Sequence, residues 1–251
     1  SKDINDWLNA AEIDCLISSA PAEYQAISGD GSEYRYCERE VALTGLARHD
    51  MLLERAGAPD DKVIVLMPTW RRSLTGMALG PGNRRSTAEA FYHSEFARRW
   101  KALLHSPRLA AMARRHAHTV VFFLHDNLEQ YRQHFEAPAH VAVRTFGDGG
   151  PVQPLFAGLS LFVTDYSSKA FDVALLRRRI LYYQFDPETF FGGHTARPGY
   201  FDYARDGFGP IHDDQEALLD DIEKAIGGGR FDPVFMQRAE RFFPFRDGRN
   251  R

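Results

Sequence analysis

Seven short apolar runs punctuate this chain, and the residues between them place their apolar side chains at helical spacing. The runs are "DCLIS" (14–18), "EVALTG" (40–45), "KVIVLMPT" (62–69), "HTVVFFLH" (118–125), "HVAVRTF" (140–146), "LSLFVTD" (159–165) and "RILYYQF" (179–185). They are continuous rather than alternating, and rich in β-branched and aromatic residues. Strands buried on both faces read this way, and a sheet buried on both faces is a parallel one covered by helices. Helices are expected over 46–57, 89–104, 107–117, 151–157, 168–178 and 214–226. The alternation predicts right-handed crossovers and an α/β fold: a doubly wound, Rossmann-like parallel sheet with helices on both faces. Such sheets take ligands beyond the carboxyl ends of their strands. A change of composition near residues 45–60 divides the chain into 1–45, read as the end of a preceding lobe, and 46–251, the main domain.

The totals narrow the function. The chain has 251 residues and a formal net charge of −3, from 31 basic and 34 acidic side chains. That balance argues against a general nucleic-acid binder. Two cysteines, Cys15 and Cys37, have no neighbour at metal-ligand spacing and read as reduced thiols of a cytoplasmic protein, with one disulfide between them as the alternative. No apolar run approaches the roughly 18 residues that span a bilayer, and the polar start "SKDINDWLNA" is no signal peptide. Both ends read as cuts within a longer protein. "FARRWKALL" and "LAAMARRHA" set arginines beside apolar helix faces, a pattern of core-packing helices that also suits a membrane surface. The stretches 71–88 and 186–210, rich in glycine, read as long loops.

Chemistry concentrates at three strand ends. "LFVTDYSSKAFDVALL" passes from strand to helix through Asp165, Tyr166, Ser167 and Ser168. A helix beginning there points its positive dipole end outward, with unpaired N–H groups. Two readings of the serines stand: N-capping, and hydrogen bonding to a bound phosphate. Asp172, four residues after Ser168, shares its helix face. It would accept from polyol hydroxyls or complement the dipole, while Asp165 braces the turn. In "VLMPTWRR", Pro68 ends the ladder, Thr69 offers a hydroxyl, and Arg71 and Arg72 offer forked donors for phosphate. His125 closes a third strand, where it can exchange a proton near neutrality or serve structurally. The remaining histidines are scattered, with no HExxH and no zinc-spaced cluster, so no metal site is expected. P-loop, GxGxxG and GxSxG motifs are absent.

Taken in order and spacing, "VALTGLARHDML" (41–52), "VLMPTWRR", "VTDYSSKAFDVALL" and "GYFDY" resemble the CDP-glycerol glycerophosphotransferase family, whose members polymerise teichoic acids and related capsule polymers. The resemblance covers about residues 10–250. It implies a GT-B-like architecture of two facing Rossmann-like lobes, here the donor-side lobe and the tail of the acceptor-side lobe. It implies a catalytic His125 and a donor site of Arg48, Pro68, Thr69, Ser167, Ser168 and Asp172, to which the strand-end reading adds Arg71. The family's other histidine, in a His-Gly-Thr-Pro motif upstream, has no counterpart here, so this chain alone is expected to bind donor and turn over poorly or not at all.

The expected reaction is transfer of glycerol phosphate, or a related polyol or sugar phosphate, from a CDP-activated donor to a hydroxyl of a growing polymer, with release of CMP. Its partners would be that donor and a lipid-linked polymer acceptor, at the cytoplasmic face of the membrane, with any peripheral attachment made by regions beyond this chain; no cofactor is expected. Two other functions share the pattern: a GT-B glycosyltransferase using a nucleotide sugar, and a non-catalytic nucleotide-binding module of a capsule-assembly protein.

Overall fold

A computed structural model describes residues 4–56, 62–80, 85–149, 152–193 and 199–250. All seven apolar runs form strands: β1 (Leu16–Ser18), β2 (Val41–Leu43), β3 (Val63–Met67), β4 (Thr119–Leu124), β5 (Val141–Thr145), β6 (Leu161–Thr164) and β7 (Arg179–Tyr183). An eighth, β8 (Ile211–His212), is too short to leave a periodic trace. β1 and β2 form a separate parallel pair. The other six make one parallel sheet in the order β5-β4-β3-β6-β7-β8. Counted along the chain within that sheet, the order is third, second, first, fourth, fifth, sixth, the doubly wound arrangement of nucleotide-binding folds. The expected α/β, Rossmann-like architecture with helices on both faces is therefore the one the chain adopts.

Alternation along β3 shows why its run is continuous. Ile64 and Leu66 enter one core, Val65 and Met67 the other, and all four are at most 2% exposed. Helices Glu95–Leu104, Pro107–Arg115 and Gln215–Ile226 cover the first face. Ala47–Arg55, Gln153–Gly158, Lys169–Leu175 and Pro233–Phe242 cover the second. The arginine-rich helices thus bury their apolar stripes: Phe96, Ala97, Trp100, Leu103 and Leu104 of "FARRWKALL" are core residues. The helix expected over 89–104 breaks at Ser94, whose hydroxyl accepts from Ala97 N–H and caps a new start.

Residues 4–43 gather a core of their own, in which Ile27, Tyr36 and Val41 are buried among Leu8, Ile13, Leu16 and Tyr24. Helices Pro21–Ser28 and Pro233–Phe242 were absent from the sequence reading, although both carry the Pro-at-the-start signal. After the second of these the chain runs back to helix Ala47–Arg55. There Asp50 accepts from the Asn250 backbone N–H at 2.9 Å and its side-chain amide at 2.6 Å. Gly45 lets this happen: its φ is +79°, and a Cβ there would lie 2.2 Å from Asn250 Oδ1. In the expected loops, 71–88 holds a short 3-10 turn (Arg72–Leu74) and 186–210 holds helices Pro187–Gly193 and Tyr203–Asp206. Residues 81–84 and 194–198 of these loops lie outside the described residues.

Candidate active site

β3 and β6 are neighbours, and the chain leaves them towards opposite edges of the sheet. Their carboxyl ends therefore open a crevice at the switch point. "PTW" stands on one side and "DYSS" on the other, with His125 at the end of β4 beside β3. Thr164 stitches the strands by donating its hydroxyl to the Met67 carbonyl at 2.6 Å. Asp165 then holds both turns: it accepts from the backbone N–H of Thr69 at 2.8 Å and of Tyr166 at 2.6 Å. It braces the turn, as the sequence reading had it.

Arg71 requires a correction. Expected to face donor phosphate, it is instead 1% exposed. Its guanidinium donates to Asp165 at 2.9 Å, to both oxygens of Asp186 at 3.1 and 2.9 Å, and to the Thr69 carbonyl at 2.7 Å. Phe190 and Phe96 lie against its faces, with ring centroids at 4.6 and 4.9 Å. Burial opposes its charge, but Asp165 and Asp186 outweigh that and hold its pKa above the ordinary value. With four of its five N–H groups on protein oxygens, Arg71 is a clamp behind the crevice, joining the ends of β3, β6 and β7.

The two serines differ in their hydrogen bonding. Ser167 Oγ accepts from Lys169 N–H at 3.2 Å. Ser168 occupies the N-cap position, but its side chain makes no capping bond, and it is exposed to the crevice. The N–H groups of Ala170 and Phe171 reach back to the Ser167 and Ser168 carbonyls, each at 3.1 Å. The helix start is thus tighter than expected, and its first amides are already bonded. What remains for a ligand is the Ser168 hydroxyl, the dipole and the Lys169 ammonium, a cation the sequence reading passed over although it follows the serine pair directly.

Asp172 is 5% exposed and faces two cations and a buried imidazole. Arg48 Nη2 lies 3.2 Å away, Lys169 Nζ 3.5 Å and His49 Nε2 3.8 Å. Arg48 itself remains largely in solvent, reaching over from the start of helix Ala47–Arg55. His49, buried against Phe243, has its pKa lowered by desolvation, only partly offset by Asp172. Asp172 therefore ties two helices at the crevice rim.

His125 is half-buried, stacked on Trp70 with centroids 6.1 Å apart. Its Nδ1 accepts from the Asn127 backbone N–H at 3.1 Å, so the neutral ring carries its proton on Nε2. Burial lowers its pKa; Asp126 opposes, and Lys169 adds to the lowering. That last influence links the end of β4 to the helix after β6. Pro68 is buried at the strand end, and Thr69 Oγ1 is a buried hydroxyl with no hydrogen-bond partner among the described residues. A hydroxyl left unpaired at a switch point has a hydrogen bond to offer to water or to a ligand. Among the described residues no three His, Cys, Asp or Glu side chains are grouped to hold a metal ion, and Cys15 and Cys37 are separate exposed thiols. No helix among them is long and apolar enough to cross a membrane.

Known proteins resemble this chain in sequence and fold. Over 252 residues the chain is 29% identical to the minor teichoic acid biosynthesis protein GgaB of Bacillus subtilis (strain 168), covering 99% of this chain and 27% of that protein. It is 25% identical over 234 residues to the teichoic acid ribitol-phosphate polymerase TarL of Staphylococcus aureus (strain NCTC 8325 / PS 47), covering 85% and 36%. The chain thus spans about a third or less of these curated relatives. Among solved structures, the wall teichoic acid polymerase TagF superposes with a TM-score of 0.64 at 19% identity, over 94% of this chain and 55% of that one, a likeness of fold. The sequence profile described as CDP-Glycerol:Poly(glycerophosphate) glycerophosphotransferase matches residues 1–251 in full, and the chain belongs to that family.

Proposed function

We propose that this chain supplies the donor-binding part of a transferase that moves a polyol phosphate, such as glycerol phosphate, from a CDP-activated donor to a hydroxyl of a teichoic-acid-like or capsular polymer. The observation that carries this reading is that Thr69, His125 and Ser168 follow the carboxyl ends of the adjacent parallel strands β3, β4 and β6, with Lys169 near enough to His125 to lower its pKa. Hydroxyls, one imidazole N–H and one ammonium make a donor set for a diphosphate. In this reading residues 46–251 are the donor lobe and residues 1–45 the end of the acceptor-side lobe.

An acceptor oxygen attacks the distal phosphorus in line; the bond from that phosphorus to the bridging oxygen breaks, and CMP leaves. Charge building on the equatorial oxygens is met by Ser168, Thr69 and Lys169. His125, protonated at Nε2 and neutral, donates from that nitrogen; it takes no proton there. The acceptor's proton must therefore go to a base outside the described residues of this crevice. Asp172, which phosphate would repel, faces the polyol end, where its oxygens can accept from hydroxyls beside Arg48 and Lys169. The reading assigns no cofactor, so donor affinity should survive EDTA. It places the reaction at the cytoplasmic face of the membrane, with a lipid-linked acceptor.

Calorimetry tests it. CDP-glycerol should bind this chain and UDP-glucose should not, and Ser168→Ala should weaken CDP-glycerol. Equal binding of both nucleotides, or an unchanged affinity in the variant, would defeat the assignment. With the longer protein, release of CMP rather than a nucleoside diphosphate distinguishes phosphopolyol transfer from glycosyl transfer.

A further inference from the structure

A cleft of about 410 Å3 lies between helices Pro21–Ser28 and Pro233–Phe242, and none of the donor set lines it. One wall is the first turn of helix Pro21–Ser28, at Pro21 and Ala22; the other is Tyr200, Arg238, Arg241 and Phe242. Arg205 and Asp206 also reach it, but they neutralise each other through two hydrogen bonds of 2.9 and 2.6 Å. Arg238 donates to the Gly207 carbonyl at 3.1 Å, which fixes its head. It lies close enough to Asp206 to help lower that carboxyl's pKa, after the Arg205 hydrogen bond. Arg241 is exposed on the wall, and neither it nor Arg238 forms an ion pair among the described residues.

Arg238 and Arg241 are three residues apart on helix Pro233–Phe242. They therefore project from one face, with Cβ atoms about 5–6 Å apart. Two forked cations so spaced suit consecutive phosphates joined by a short carbon chain. Pro21, Tyr200 and Phe242 supply apolar surface for the carbons between them. One ring contact connects the cleft to the helix that carries Asp172. Phe242 packs on Phe171 at 5.3 Å, and Phe171 precedes Asp172 in the helix that begins after Ser168.

We propose that this cleft binds the phosphodiester backbone of an anionic polyol-phosphate chain, the acceptor that the transfer reaction extends. The proposal rests on the donor reading above for its role in the reaction, and on the arginine pair for its ligand chemistry. A growing polymer lying here would run along helix Pro233–Phe242 towards the crevice. The same chemistry is offered by glycerophospholipid headgroups, and the test separates the two.

A short synthetic glycerol-phosphate oligomer is titrated calorimetrically into this 251-residue chain, into Arg241→Glu and into Ser168→Ala, and CDP-glycerol is titrated into each. Arg241 is exposed, so its replacement should leave the unfolding midpoint in place; Arg241→Ala serves as a second variant with the same expectation. The oligomer should bind the unaltered chain and lose at least about tenfold in affinity with Arg241→Glu. Ser168→Ala should weaken CDP-glycerol and leave the oligomer alone. The proposal is overturned if the oligomer fails to bind, binds Arg241→Glu equally well, or is ignored while phosphatidylglycerol vesicles bind in an Arg241-dependent way. If CDP-glycerol fails to bind the unaltered chain but the oligomer depends on Arg241, the cleft stands and the donor reading falls.

Discussion

Two arginine–aspartate pairs adjoin the strand ends around β3 and β6, and they do opposite things. Arg71 with Asp165 is sealed behind the strand ends, at 1% and 0% side-chain exposure. Arg48 with Asp172 sits on the rim, its arginine 59% exposed and its carboxylate 7%. In the first pair every hydrogen bond is spent on protein, so the charges hold β3, β6 and β7 in register. In the second, the cations leave solvent-facing donors over the place where a ligand would lie. Residue type and motif position are alike in the two; what separates scaffold from site is whether water, or a ligand in its place, can reach the charge.

The sharpest way to break that contrast is Arg71→Ala. It strands Asp165 and Asp186 without their cation, and should cost about 3–5 kcal/mol in denaturant unfolding. An unfolding free energy within 1 kcal/mol of the parent, a bound taken from exposed pairs (~1 kcal/mol or less), would show that the buried pair behaves like a surface one. Next in size is Ser168→Ala, expected to weaken CDP-glycerol roughly tenfold while moving stability by less than about 0.5 kcal/mol. Arg48→Ala should change stability by about 1 kcal/mol or less, because the pair is largely in solvent, yet reduce donor affinity measurably. A large loss of stability instead would put Asp172 with the scaffold.

The smallest effect is on titration. Because burial and Lys169 both depress the His125 pKa, the folded protein resists protonating this ring as pH falls below the ordinary imidazole value. The unfolded chain then binds the proton first, so this histidine's contribution to stability is present above that value and lost as pH falls through the folded pKa. Lys169→Ala should move the His125 midpoint upward in an NMR titration of its ring protons. A midpoint that stays put would remove Lys169 from the neighbourhood of β4 and weaken the strand-end grouping on which the donor site rests.

Much of this was legible in the chain. The apolar runs located seven strands because a strand buried on both faces must be continuously apolar, and β3 shows it residue by residue. Strand-end chemistry located Thr69, His125 and Ser168, since ligands of such sheets lie past the carboxyl ends. Lys169 was visible beside the serines but carried no pattern of its own. Arg71 was misread because "PTWRR" looks like an exposed basic loop; its carboxylate partners lie 94 and 115 residues away, where no local pattern connects them. The bonded amides at the helix start were likewise invisible, because whether a first turn closes on its own carbonyls depends on a few degrees of φ and ψ.

What the amino-acid order determined by itself was periodicity and inventory: which segments had to be strands, which had to be helices, and which polar groups would stand at their junctions. These follow from local rules, the two-residue pleat, the helical turn and the cost of burying an unpaired amide. Only the tertiary structure decided which arginine is sealed as a clamp and which stays in water, that Asn250 closes on Asp50, and that helix Pro233–Phe242 brings two cations to face Pro21. Each of those depends on desolvation by elements distant in the chain, and a charge acquires its role only once its surroundings have set how much water it keeps.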